Sequence, residues 1–178
     1  MPFPQDAGVL LIQITGPDRP GLTSALTGIL AEYGVRILDI GQAVIHNALA
    51  LGILVELDQA ARSSPMLTQL LLKAHELNVQ VHFSASSPDE YRVWAAGQSK
   101  QRSIVTVLGP AILGEHLAAV SDVIAGQSLN IERIERLSGR PSLETNPASR
   151  ACIEFTVSGD PRSETEMRAS FMRITHEH

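Results

Sequence analysis

The residues best suited to chemistry lie near the start of the chain, in Ile14-Thr15-Gly16-Pro17-Asp18-Arg19-Pro20-Gly21-Leu22-Thr23. An apolar run enters a Gly/Pro-rich turn, and the turn opens a segment of helical period. A strand-to-helix turn leaves the first N–H groups of the helix without intrahelical partners, which suits a carboxylate or another anion. Asp18, inside the same turn, offers the opposite sign for an ammonium group. A free amino acid carries both charges. The same residues also have plain structural uses. Asp18 stands well against the positive end of the helix dipole, Gly21 allows a close strand–helix approach, and Arg19 is solvated.

Other chemistries find little support. The six histidines, His46, His75, His82, His116, His176 and His178, show no metal-ligand spacing. Cys152 enters an apolar strand with Arg150 as the only basic residue near it in sequence, the setting of a buried, inert thiol. Glu132 and Glu135 read as surface charge. There is no Gly-x-x-x-x-Gly-Lys loop and no Ser/His/Asp signature. No catalytic residue and no metal site is assigned.

The elements that must carry the turn follow from hydrophobic period. Val9 to Thr15 reads as a buried strand. Pro20 to Tyr33 reads as a helix, with Leu22, Leu26, Ile29, Leu30 and Tyr33 on one stripe, Pro20 in its first turn and Gly34 as its stop. Val35 to His46 is strand-like, and Asn47 marks a tight turn. Leu49, Leu51, Ile53, Val55 and Leu57 alternate along the next strand. Pro65 to Leu77 forms a second helix, capped by Ser63-Ser64. Val79, Val81 and Phe83 close the unit. Ser84 to Ser103 reads as a polar linker, tacked down by Tyr91, Val93 and Trp94.

The pattern then repeats. Ile104 to Leu108 ends in Gly109-Pro110, as the first strand ends in Gly16-Pro17, and a glycine follows four residues beyond each proline, at Gly21 and Gly114. A helix stripe follows at Leu113, Leu117, Val120 and Ile124. Leu129 to Ile134 echoes Arg36 to Ile40. Ser138 to Arg150 is a long polar loop, expected to be mobile. Ile153, Phe155 and Val157 form a strand, and Arg162 onward a helix with Met167, Phe171 and Ile174 on one side. No closing strand follows. The expectation is a fragment cut between a regulatory part and something beyond it. The alternatives are a tail that pairs differently or a partner chain that supplies the strand.

Composition bounds the function class. The chain has 178 residues, 44% hydrophobic and 19% charged, with a formal net charge of −5. That balance builds a core and disfavours bulk attraction to nucleic acid or to an anionic membrane. No apolar run approaches the ~20 residues that cross a bilayer, and Met1 to Asp6 lacks the basic start of a signal peptide. The lone Cys152 fits a reducing, cytoplasmic setting.

Two units of this order, each with a Gly-rich first turn, resemble tandem ACT domains, small ferredoxin-like modules that bind amino acids in many biosynthetic enzymes. The resemblance implies an α+β fold of two βαββαβ modules, each with an antiparallel four-stranded sheet and two helices on one face, the second lacking its last strand. The modules span residues 7–86 and 102–178, with residues 87–101 as linker. The chain also resembles the N-terminal region of the longer bacterial phosphoserine phosphatases, in which two ACT modules precede a haloacid-dehalogenase-type domain. That domain needs an Asp-x-Asp motif, and none occurs here.

The resemblance implies that the intact protein is a hydrolase of serine biosynthesis, converting L-phosphoserine to L-serine with Mg²⁺. This chain would need no cofactor. It would be an allosteric region that senses an amino acid, serine first among them, and forms a homodimer. It also places the ligand at Asp18, Arg19, Pro20, Gly21 and Leu22. Asp39 and Gln42 would come from the strand after the first helix. Gly109 and Pro110 would line a shared site, with Asn130 as a further polar contributor. Ala111-Ile112-Leu113 replaces Asp18-Arg19-Pro20 in the second module, which removes the charged residue there. The alternative is a stand-alone ACT-pair adaptor, similar to repressor-like regulators of glycine cleavage and acting through protein contacts.

Overall fold

The computed structural model describes residues 8–57, 65–97, 101–140 and 150–177, with side chains to residue 174. The chain divides into two units, Met1–Gly97 and Gln98–His178. The first contains β1 (Val9–Pro17), α1 (Leu22–Glu32), β2 (Arg36–Ile45), β3 (Ala48–Glu56), α2 (Met66–Glu76), β4 (Gln80–Ser86) and α3 (Pro88–Gly97). Its sheet has the order β2-β3-β1-β4, with every neighbouring pair antiparallel.

Side-chain alternation sets the faces. Leu10, Ile12 and Ile14 of β1 lie opposite Val55, Ile53 and Leu51 of β3, and all six are buried. They form one core with Leu22, Leu26, Ile29 and Leu30 of α1 and with Met66, Leu70 and Ala74 of α2. Leu11 and Leu54 face the other way and are half-buried.

The helices enter their following strands through one repeated device. Gly34, Asn78 and Ser128 take left-handed conformations, with φ of 60°, 52° and 59°. The next residue in each case, Val35, Val79 or Leu129, donates its N–H to the carbonyl five residues back. That pattern satisfies helix carbonyls and turns the chain into a strand.

The second unit holds β5 (Arg102–Gly109), α4 (Gly114–Gly126), β6 (Asn130–Arg136), β7 (Ala151–Ser158) and α5 (Glu164–Glu177). Its sheet order, β5-β7-β6, repeats β1-β3-β2 of the first unit, again antiparallel. Among the described residues β5 has a single neighbour, and the position of β4 has no counterpart. Phe155 is fully buried between Val120, Ile124, Leu129 and Val157, with Met167 and Phe171 of α5 against this core. The same β-bulge interrupts both units: the register shifts between Ile37 and Asp39 in β2 and between Ile131 and Arg133 in β6.

Two local readings change. Residues 88–97, expected within a linker, form α3. Ser87 caps it: the Glu90 amide donates to Ser87 Oγ, and the Ser87 amide donates to Glu90 Oε2 at 2.8 Å. This is a reciprocal capping box with Pro88 at the first helical position. Cys152, expected to be buried, is half-buried, because its register with Leu108 turns it to the face away from the helices. The Ser63-Ser64 cap, most of the 138–150 loop and the side chains of His176 and His178 lie outside the described residues. Among the described residues no helix is long and apolar enough to cross a membrane.

Candidate functional site

The turn after β1 is held from two sides. The Asp18 amide donates to the Asn47 carbonyl at 2.7 Å, which ties it to the β2–β3 hairpin. Leu22 buries its side chain in the core and anchors the start of α1. Pro20 and Gly21 precede the helix rather than opening it. Gly21 is the N-cap at φ 84°, a left-handed conformation that a helix interior excludes.

The start of α1 is unusually bare. No side chain caps it, and its first turn has no acidic residue. The amides of Thr23 and Ser24 have no partner among the described residues, so the positive end of the helix faces solvent. Asp18 and Arg19 are exposed and have no ion-pair partner among the described residues. A Cβ built on Gly21 would meet nothing within 4 Å. The close approach expected at Gly21 occurs instead at Gly16, where an added Cβ would sit 2.8 Å from Val79 Cγ1.

Sheet order brings further polar groups to this end of the unit. Thr15, Gly16 and Pro17 line a cavity of about 480 Å³ with His75, Asn78, Val79 and Gln80. His75, Asn78 and Gln80 escaped sequence reasoning. Only the antiparallel pairing of β4 with β1, which sets Gln80 opposite Thr15, carries them there. Neither Asp18 nor the first turn of α1 lines this cavity; the amides of that turn suit a carboxylate and Asp18 an ammonium.

The two residues expected from β2 separate. Gln42 lies opposite Leu51 on the helix side, and its Oε1 accepts from Thr23 Oγ1 at 2.8 Å. It therefore stands beside the first turn of α1. Asp39 lies opposite Leu54 on the other face of the sheet, because it stands three residues from Gln42 and side chains alternate along the strand. It is not part of this cluster.

The corresponding turn of the second unit differs in kind. Gly109, Pro110, Ala111, Ile112 and Leu113 border a cavity of about 590 Å³ with Val107, Leu108 and Ile174. The N-cap is Leu113 in an extended conformation, and Glu115 occupies the first turn. The Leu113 amide donates to His116 Nδ1 at 2.9 Å. This helix start is supplied with its own partners. Asn130 pairs with Ser158 beside Arg102, at the far end of the sheet from Gly109. Glu132 and Glu135 are engaged with Arg102 and Arg133. Among the described residues no three His, Cys, Asp or Glu side chains converge to hold a metal ion.

Comparison with known proteins agrees with this architecture. The ACT domain family matches residues 8–84. A phosphoserine phosphatase of Streptomyces coelicolor is 33% identical over 154 residues, covering 86% of this chain and 34% of that enzyme. The chain thus spans about a third of that relative's length. A UPF0237 protein of Methanopyrus kandleri is 38% identical over 72 residues, 40% of this chain and 80% of that protein. A protein of unknown function from Galdieria sulphuraria superposes with a TM-score of 0.72 at 17% identity, covering 96% of this chain and 92% of the other. By the match of residues 8–84 the first unit is an ACT domain, and the chain is an ACT-domain region related to phosphoserine phosphatase.

Proposed function

We propose that this chain is the amino-acid-sensing and dimerising region of a phosphoserine phosphatase, and that L-serine binds at the turn after β1. The observation that carries the reading is the bare start of α1, opened by left-handed Gly21, with the exposed Asp18 carboxylate close by in sequence and without an ion-pair partner among the described residues. In this reading the serine carboxylate accepts from the Thr23 and Ser24 amides and its ammonium faces Asp18. Gly21 leaves room for the carboxylate, Arg19 and Pro20 frame the turn, and Leu22 anchors it in the core. Gln42 and Thr23 supply hydrogen bonds for the hydroxyl.

The reading assigns hydrolysis of L-phosphoserine, with its Mg²⁺, to a haloacid-dehalogenase-type domain outside this chain. Serine would regulate that domain to the extent that it binds two arrangements of the protein with different affinity. Dimerisation draws on exposed apolar side chains of the edge strand β2, Ile37, Ile40, Val44 and Ile45, and on the unpaired edge of β5. The reading places the protein in the cytoplasm.

Thermal unfolding with L-serine tests it, with glycine and L-phosphoserine as controls. A ligand at about a hundredfold its Kd stabilises by about 2.7 kcal/mol, a rise of roughly 5–11 °C for a chain of this size. The rise should be selective for serine and lost in Asp18→Ala. No rise with any amino acid refutes the sensor reading and favours an adaptor acting through protein contacts.

A further inference from the structure

A second cavity lies on the opposite face of the first unit's sheet. It measures about 410 Å³ and lies between the strands and α3. Its floor is Val9, Leu11 and Leu54, and its wall is Tyr91 and Trp94 of α3, whose ring centroids are 5.8 Å apart. Its size and largely apolar lining are those of a small-molecule site. Its charged residues are Asp39 and Glu90, and no basic residue lines it.

The two carboxylates differ in what they have left to offer. Glu90 is engaged with Ser86 and Ser87. Those bonds, the Ser87 amide first, hold its carboxyl below the ordinary value, so it stays charged. Asp39 Oδ1 accepts from the Ile40 amide at 2.8 Å, while Oδ2 has no partner among the described residues. Its register opposite Leu54, just after the bulge in β2, turns Asp39 to this groove. The same bulge in β6 presents Arg133 to the matching face of the second unit, and Arg133 pairs with Glu135. The negative groove therefore belongs to the first unit.

We propose that this groove binds an organic cation with an apolar body, of the arylalkylamine class. The ammonium pairs with Asp39 and faces the Trp94 ring, and the body lies over Leu11 and Leu54. A cation over an aromatic face gains further electrostatic attraction. The site is separate from the turn that binds serine in the reading above.

Trp94 is the single tryptophan of the chain, so its fluorescence reports this groove alone. The full chain is titrated with phenethylamine, with phenethyl alcohol as neutral control and 3-phenylpropanoate as anionic control. The expected result is a saturable change with phenethylamine that weakens at least tenfold in Asp39→Asn, weakens with added salt, and is unchanged in Asp18→Ala. An equal response to the neutral alcohol, an unaltered response in Asp39→Asn, or no saturable change overturns the proposal. So does a blue-shifted Trp94 emission inaccessible to acrylamide, which shows the groove covered by protein. Serine stabilisation is read separately, so either site can fail without the other.

Discussion

Replacing Gly21 with alanine separates backbone conformation from space at the turn after β1. Gly21 holds φ at 84°, a region that costs an L-residue roughly 1–2 kcal/mol. An added Cβ meets nothing within 4 Å, so no steric cost is added to that figure. Gly21→Ala should therefore destabilise the first unit by roughly 1–2 kcal/mol. Each kcal/mol lowers Tm by about 2–4 °C for a chain of this size. Gly21→Asn should cost less, because asparagine enters the left-handed region more readily than alanine. Both added side chains occupy the open side of the turn, so both should weaken the serine-induced rise in Tm. Thermal unfolding by circular dichroism, with and without L-serine, measures all four quantities. An alanine variant as stable as the parent shows that the left-handed N-cap is not held in solution. An asparagine variant as unstable as alanine shows that the cost is contact rather than conformation. Loss of stability with an intact serine response moves the ligand away from Gly21.

Other perturbations test the scaffold. Gly16→Ala drives a Cβ to 2.8 Å from Val79 Cγ1 and should cost about 1–3 kcal/mol by overpacking. Val79→Ala in the same chain should recover part of that loss, and additive losses in chemical denaturation would refute the contact. Ser128→Gly relieves a left-handed serine at φ 59° and should raise stability by up to about 1 kcal/mol, seen as a later denaturant midpoint. Glu90 is held below its ordinary value of 4.5 by the Ser87 amide and the Ser86 and Ser87 hydroxyls. What it lends α3 is present above that value and is lost as pH falls through the lower folded one. Trp94 emission should therefore change on acidification below about pH 4.5, and Glu90→Gln should flatten the change. An identical acid response in that variant removes Glu90 from the account.

The strands and main helices were legible because their apolar residues are periodic, as in Leu49 to Leu57 and in the α1 stripe. Helix α3 was read as linker because its surroundings are polar, although Ser87-Pro88-Asp89-Glu90 carries a local capping signal. The bulge was not legible. Nothing in Ile37-Leu38-Asp39 distinguishes a register shift from regular alternation, and the pairing with β3 decides it. The separation of Asp39 from Gln42 needs no bulge: three residues apart, they alternate to opposite faces of the strand. His75, Asn78 and Gln80 were hidden for a related reason: their place beside Gly16 depends on sheet order, which no local window contains.

The comparison of the two units shows which physics the repeat shares and which it does not. Strand order, the bulge position and the left-handed exits at Gly34 and Ser128 belong to the scaffold and recur with different residues. The front turns have diverged in how they treat the same helix start. In the second unit Glu115 lies in the first turn and His116 accepts from the Leu113 amide, so the positive end of α4 is compensated within the chain. In the first unit the start of α1 has no such partners among the described residues, and a carboxylate from outside is what would compensate it. Installing a cap should therefore trade ligand for stability. Ser24→Glu puts an acid in the first turn of α1, where it should stabilise the helix by about 0.3–1 kcal/mol and abolish the serine response. A variant that gains stability and keeps its full response to serine would show that the bare helix start is not the binding element.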